Sequence, residues 1–314
     1  MEAAATGSPA TAQSQEPAFQ PKAVAPQVAD LRPGLRFEGR FACSRRDRLV
    51  GRNGSTYLAL ELRDPTGTVP ARVFRDADRL GMRFERGDAV AVRGKVGRFR
   101  GDIAVELDDI RRLEPGRFDP AEFLPSAYRS IDELEGFLEH LTAEVYDAPL
   151  AEAVRRALFA EPVWSEFRRA PCTRAGHHGY LGGLIEHTVA VATLVGETCQ
   201  LHPRLDSDLL MAAALVHDVG KVREFTYTAE IGISEEGRQL GHLAIGAEIV
   251  GAAAGDLPPE RRLALLGCVL QHHGPDSGPG KTAQGGRFGS PEALALFRLN
   301  ALDASVKGAL EQGI

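Results

Sequence analysis

The chain predicts a multidomain protein, an N-terminal all-β closed barrel followed by an all-α helical bundle. Two observations predict it. Between Leu31 and Pro115, short runs of alternating polarity are separated by turn residues, whereas from about Ser130 the apolar spacing becomes helical. The charge divides at the same place: Leu31–Pro115 holds 19 basic and 13 acidic residues, a net +6, and the rest of the chain, with 18 and 30, carries −12. A basic module joined to an acidic one points the first toward a polyanion. With 314 residues, 43% of them hydrophobic, the chain is long enough to bury a core in each part. The expected divisions are a disordered tail over residues 1–30, a barrel over 31–115 and a helical domain over 116–314.

The tail reading rests on Ala, Pro, Gln, Ser and Thr without apolar periodicity. In the barrel, strands are readable at Thr56–Leu62, Val69–Phe74, Ala89–Val96 and Ile103–Leu107, with turns at Asp64–Gly67, Arg86–Asp88 and Arg100–Asp102. Five strands in about 85 residues, with glycine at the bends, make a small closed barrel of the OB type. Leu60–Phe74 and Gly87–Gly94 resemble OB domains that bind nucleic acid. Arg45–Arg48 falls where a first hairpin loop is expected. Tyr57, Lys95, Arg98, Phe99 and Arg100 offer rings and cations for stacking bases and pairing phosphates, or alternatively the rings fill the core.

Ser130–Glu133 reads as a capping box opening the first helix, which runs toward Val145. Further helices are expected at Ala148–Phe159, Gly183–Leu201, Ser207–His217, Ala244–Ala254, Pro259–His272 and Pro291–Leu310. The last two begin with proline, which suits a position needing no N–H. His273–Gly289, rich in Gly, Pro and Ser, reads as a mobile loop. No run of about 18 apolar residues is present, so no membrane span is expected. No basic-then-apolar leader opens the chain, and the four cysteines form no Cys-x-x-Cys pair. They read as reduced thiols of a cytoplasmic protein.

The chemistry concentrates in histidines at the ends of apolar segments: His187, His217–Asp218, His242 and His272–His273. An imidazole and a carboxylate at the end of the apolar run Leu209–Val216 cost desolvation energy unless compensated, and a divalent metal ion is the usual compensation. Adjacent residues at a helix end can flank one ion, and a carboxylate can bridge two. Water held there is acidified and attacks phosphorus. This makes the chain a metal-dependent hydrolase by expectation, with Asp218 and Lys221 as catalytic groups and Lys221 neutralising charge on phosphate. No cysteine accompanies the histidines, which disfavours a structural zinc site. His177–His178, before the turn at Gly179, either face the cleft and bind phosphate or pack the turn.

The order His187, His217–Asp218, His242, His272–His273 and a late carboxylate resembles the HD phosphohydrolase superfamily. More narrowly, Gly179–Thr188, Gly241–Ile249 and the sequence of an OB module before an HD domain resemble the YhaM-type 3′→5′ exoribonucleases. The resemblance implies a first metal at His187, His217 and Asp218, a second at His242, His272 and His273, and a phosphate contact from Lys221. It further implies Mn²⁺ in preference to Fe, Co or Mg, one or two ions, single-stranded RNA or DNA as partner, and release of nucleoside monophosphates. Homo-oligomers are common among HD domains of this kind. One position departs: the family closes its site with Ala-Asp-Asn-Leu-Asp-Ala, and here Leu299–Ala304 puts Asn300 at the ligand position, with Asp303 one turn on. Either residue completes the site, or metal affinity is reduced. The alternatives are a nucleotide or cyclic-nucleotide phosphohydrolase, and a nucleic-acid-binding protein with a weakened HD domain.

Overall fold

The computed structural model describes residues 25–52, 54–277 and 286–313. Residues 1–24 of the expected tail, and 278–285 of the expected mobile loop, lie outside them. Order begins ahead of Leu31. Val28–Asp30 is a 3₁₀ helix whose Val28 N–H donates to Asp64 (2.7 Å) and Ala29 N–H to Thr66 (3.1 Å). Those two polar side chains at the β-turn supply partners that the tail's composition does not reveal.

Strands β1 (Arg36–Val50), β2 (Thr56–Asp64), β3 (Gly67–Val73), β4 (Ala89–Phe99) and β5 (Asp102–Arg112) close a barrel in the order β1-β2-β3-β5-β4, with β4 returning to β1. Alternation fills it: Leu58, Leu60 and Leu62 point inward while Tyr57, Ala59, Glu61 and Arg63 face out. Phe41, Val73, Val90, Val96 and Ile110 complete the core, each worth about 1.5–3 kcal/mol of burial. Helix α1 (Ala77–Gly81) plugs one end through Ala77 and Leu80. The hairpin loop expected at Arg45–Arg48 is instead part of β1, with Arg45 opposite Glu61 and Arg48 opposite Leu58; the turn comes later, where Gly51 N–H bonds Ser55 O. Strand pairing is made by backbone, so a charged run with solvent-facing side chains imitates a loop.

The helical domain comprises α2 (Ile131–Ala143), α3 (Ala148–Leu158), α4 (Val163–Phe167), α5 (Gly183–Leu201), α6 (Ser207–Val216), α7 (Lys221–Glu224), a hairpin of β6 (Phe225–Tyr227) and β7 (Ile231–Ile233), α8 (Glu235–Ala253), α9 (Pro259–Gln271) and α10 (Pro291–Gln312). Its helix starts follow the sequence signals. Asp147, Asp206, Ser234 and Ser290 each accept an N–H from the third residue on, and prolines open α9 and α10. At Ser130 only half of the expected box forms, the serine accepting Glu133 N–H, while the Glu133 carboxylate turns to Arg129 (3.6 Å). Every residue of α6 from Leu209 to Val216 is buried, with α3, α5, α9 and α10 packed around it. This central helix ends at His217–Asp218, so the ionisable pair is delivered to the middle of the domain. Among the described residues no helix is long and apolar enough to cross a membrane.

The two parts meet at a small apolar cluster: Ala42 and Ala89 of the barrel, Phe123 of the connection, and Ala229 at the β6–β7 turn. Arg63 donates to Ala229 O (2.8 Å) across this seam. The hairpin follows α7 directly, so the barrel is braced against the segment that carries Lys221 and Glu224.

Near the site, α7 and α8 approach so closely that only glycine fits at position 220. A Cβ there meets His242 O at 2.1 Å and Gly246 N at 2.5 Å, both backbone atoms. Gly220→Ala is expected to push α8 away, destabilising the protein by about 1–3 kcal/mol, which thermal or denaturant unfolding reads directly.

Candidate metal centre

Five helical segments contribute to one buried cluster. His187 stands in the second turn of α5, His217–Asp218 follow α6, His242 lies in α8, His272–His273 follow α9, and Asn300 and Asp303 are on α10. Helix α8 breaks at Gly241 (φ 68°, ψ 160°), so the following His242 N–H is left without a helical partner. Glu224 accepts it (3.1 Å) and, with the same oxygen, accepts from His242 Nδ1 (3.1 Å), clamping backbone and ring together.

The hydrogen bonds decide which ring nitrogens face inward. His217 Nδ1 donates to Ala214 O (2.7 Å), His272 Nδ1 to Val269 O (2.6 Å) and His187 Nδ1 to Asp303 Oδ2 (2.6 Å). Since each Nδ1 carries the proton, each Nε2 presents a lone pair. Asn300 is oriented by its Nδ2 donating to His272 O (3.2 Å), which turns its Oδ1 inward. The inward atoms form two groups sharing Asp218. In the first, His187 Nε2, His217 Nε2 and Asn300 Oδ1 gather near Asp218 Oδ2: His187 Nε2 lies 3.0 Å from Asn300 Oδ1 and 3.3 Å from His217 Nε2, and the two imidazoles lie 3.5 and 3.3 Å from the carboxylate oxygen. In the second, His272 Nε2 (3.3 Å) and His242 Nε2 (3.6 Å) face Asp218 Oδ1, and His273 Nε2 is 3.0 Å from His242 Nε2.

Acceptors thus face acceptors around a buried carboxylate, with His273 at the exposed edge of the cluster. Asp218 Oδ1 and His272 Nε2 are buried without any hydrogen-bond partner. Unpaired buried acceptors are costly, and a cation between them removes the cost. The mixed nitrogen and oxygen donors suit a divalent transition ion. The donor set therefore fits the expected metal. Burial holds His272 neutral, its pKa pushed down to about 3, and brings His187 down to about 4 although the Asp303 bond opposes it. Neutral imidazole is the ligating form. Burial works against ionised Asp218 too, but the Lys221 ammonium outweighs it and holds the carboxyl well below its usual range.

Some expected residues take different places. Lys221 is buried, with Nζ 2.6 Å from Asp218 Oδ2 and 3.3 Å from Cys172 Sγ. It is a counter-ion of Asp218 in this structure, not a group standing free in a cleft. His178 is buried as well, with Nε2 3.0 Å from Asp303 Oδ2 and Nδ1 near Tyr180 Oη (3.0 Å) and Glu186 (3.3 Å). It braces Asp303, which stands between the two imidazoles. His177 is half-buried, its ring 5.5 Å from that of His187. Of the two α10 candidates, Asn300 reaches the inward side of His187 and Asp303 its outer side. Glu224, Glu186 and Cys172 were not singled out from the sequence; only Glu224, one turn beyond Lys221, had a signal in its spacing.

On the barrel, Phe99 does not fill the core. It is 45% exposed, with the Arg72 guanidinium 3.5 Å above its ring and Arg100 at 5.4 Å. Tyr57 packs on Phe74, itself 51% exposed, at 5.6 Å between centroids. Arg72 and Phe74 complete pairs of which the sequence marked one member. Lys95 is exposed on β4 opposite Arg36, while Arg98 donates to Gly101 O (2.7 Å) in the hairpin turn.

Comparison with known proteins agrees with this division. Residues 41–113 match an OB-fold nucleic acid binding domain and residues 184–305 an HD domain. The chain is 28% identical over 284 residues to a protein of Halalkalibacterium halodurans described as 3′-5′ exoribonuclease YhaM, covering 87% of this chain and 84% of that one. A protein of the same description from Oceanobacillus iheyensis is also 28% identical, over 282 residues, with 87% and 85% covered. The motif resemblance is therefore matched along most of both chains.

Asp303 holds His187 by its far nitrogen, so Asp303→Asn is expected to weaken divalent-metal binding about 10–100-fold. Isothermal titration of the metal-stripped protein with Mn²⁺ measures this; unchanged affinity would dismiss the role.

Proposed function

We propose that this protein is a metal-dependent 3′→5′ exoribonuclease acting on single-stranded RNA. The observation that carries the reading is the pair of donor groups sharing Asp218, in a chain whose other domain matches nucleic-acid-binding OB folds and whose relatives are described as such exonucleases. His187, His217, Asp218 and Asn300 would hold one ion, and Asp218, His242, His272 and His273 the other, with Mn²⁺ the expected metal. When bound, such ions supply Lewis acidity toward a phosphodiester oxygen and toward water.

The chain's own residues do the remaining work. Asp218 presents one oxygen to each group and so sets their spacing. Asp303 and Glu224 fix the tautomers of His187 and His242. Lys221 keeps Asp218 ionised and carries a positive charge beside the reacting region. On the barrel, Phe74 and Phe99 offer exposed rings to bases, with Arg72 and Arg100 for phosphates. Tethering the strand there raises its local concentration at a centre that grips few phosphates. The free state of the described cysteines suits a cytoplasmic site of action.

A 5′-labelled single-stranded RNA incubated with Mn²⁺ is expected to give a ladder shortening from the 3′ end. His217→Ala/Asp218→Ala is expected to abolish it, and EDTA to stop it reversibly. An intact strand with wild-type, Mn²⁺-loaded protein would sink the exonuclease reading.

Asn300 favours a second reading, a binding protein with a weakened centre, because a neutral amide oxygen stands where the first group takes its fourth donor. Under that reading Asn300→Asp raises turnover by an order of magnitude or more, whereas a fall or no gain in single-turnover cleavage rules it out.

A further inference from the structure

Resting on that reading, we infer that the seam between the barrel and the helical domain is a phosphate-binding groove, carrying single-stranded nucleic acid from the barrel toward the buried centre. A cleft of about 650 Å³ lies along this seam. Arg63 of β2, Arg86 of the turn before β4 and Arg174 of the loop before α5 line it, and the hairpin adds the hydroxyls of Thr226 and Thr228.

The arginines are not spent on carboxylates. Arg86 and Arg174 are exposed and make no ion pair among the described residues. Arg63 uses Nη2 on Ala229 O, and its buried Nε has no partner at all. Two carboxylates share the lining. Asp88 is already engaged by Arg112 (3.3 Å) and by Glu85 N–H (2.7 Å), while the Glu230 carboxylate lies beside Gly87. Three guanidiniums with two hydroxyls around a mostly polar cleft fit a run of phosphodiesters better than an apolar ligand.

The groove also ends where a strand needs it to end. Arg63 shares the outward face of β2 with Tyr57, six residues and about 20 Å away. Tyr57 packs on the exposed Phe74, so one face of one strand leads from rings to cations. On the other side, Arg174 is three residues from His177, whose ring stands 5.5 Å from that of His187. Gly179, next to His178, lies in the groove wall. The loop 173–179 therefore belongs to the groove and to the edge of the centre.

The test is Arg86→Ala/Arg174→Ala in the full chain, with the exposed Arg204→Ala as the control outside the groove. Binding of a single strand of about 12 nucleotides, within the span of one OB domain, is measured across a salt series. Loss of two phosphate contacts at about 0.7 each is expected to flatten the slope of log K against log salt by about 1.4, with affinity at low salt falling tenfold or more. Arg204→Ala is expected to leave the slope in place. The kcat/KM ratio of this strand to a dinucleotide should also fall at least tenfold. An unchanged slope in the double variant, or an equal change in the control, overturns the groove. The binding slope is read without turnover, so it stands or falls separately from the exonuclease reading.

Discussion

The constraint on which the rest depends is the set of proton-free acceptors around Asp218. A carboxylate with almost no exposure is surrounded by imidazole nitrogens that backbone carbonyls and carboxylates have forced into the lone-pair form. With their protons on the outer nitrogens, the inward atoms offer lone pairs only, and cations satisfy them. Lys221 is one such cation, 2.6 Å from Asp218 Oδ2. The opposite oxygen, facing His272 and His242, has no such partner. The two sides of one carboxylate are thus electrostatically different, and the second group depends more on an added ion.

The helical domain is arranged to keep those nitrogens in place. Helix α6 is apolar on every side and so is fixed by packing on every side, which makes its C-terminal His217–Asp218 a rigid base. Two more contributors arrive where helices stop or break, His242 after Gly241 and His272–His273 at the end of α9, while His187, Asn300 and Asp303 project from within α5 and α10. A helix end lets neighbouring residues point to one place, which the 100° step of a continuous helix prevents. The cost is backbone N–H and C=O groups left unpaired, and the centre reuses them. Ala214 O and Val269 O accept from His217 and His272, and Glu224 takes the His242 N–H.

The second organising feature is the β6–β7 hairpin. Sequence periodicity does not register it, since three-residue strands are too short, and α1, α4 and α7 escape for the same reason. Yet this hairpin joins the two domains. Its turn carries Ala229 to the barrel wall and Arg63 to its carbonyl, and its stem follows Lys221–Glu224. A barrel fixed in this way places its outer β2 face in line with the seam, where a flexible tether leaves the two parts unrelated.

The residue string alone carried the two-part architecture, because strand alternation and helical spacing are local periodicities that burial of one face imposes. Helix starts at Ser130, Asp147-Ala148, Asp206-Ser207 and Pro291 were legible, since caps act through bonds spanning three residues. So was the membership of the histidine cluster, because ionisable residues at the ends of apolar runs need compensation wherever the chain folds. Roles within the cluster were not legible. Asn300 and Asp303 lie on similar faces of α10, and only the packing of α10 against α5 puts one on each side of the His187 ring. Likewise the sequence leaves His178 open between facing the cleft and packing the turn, and gives Lys221 to phosphate; tertiary contacts bury them against Asp303 and Asp218. Local sequence determines which groups must be compensated; the three-dimensional approach of distant helices decides which partner compensates each, because hydrogen bonds and Coulomb attraction act over a few ångströms and not along the chain.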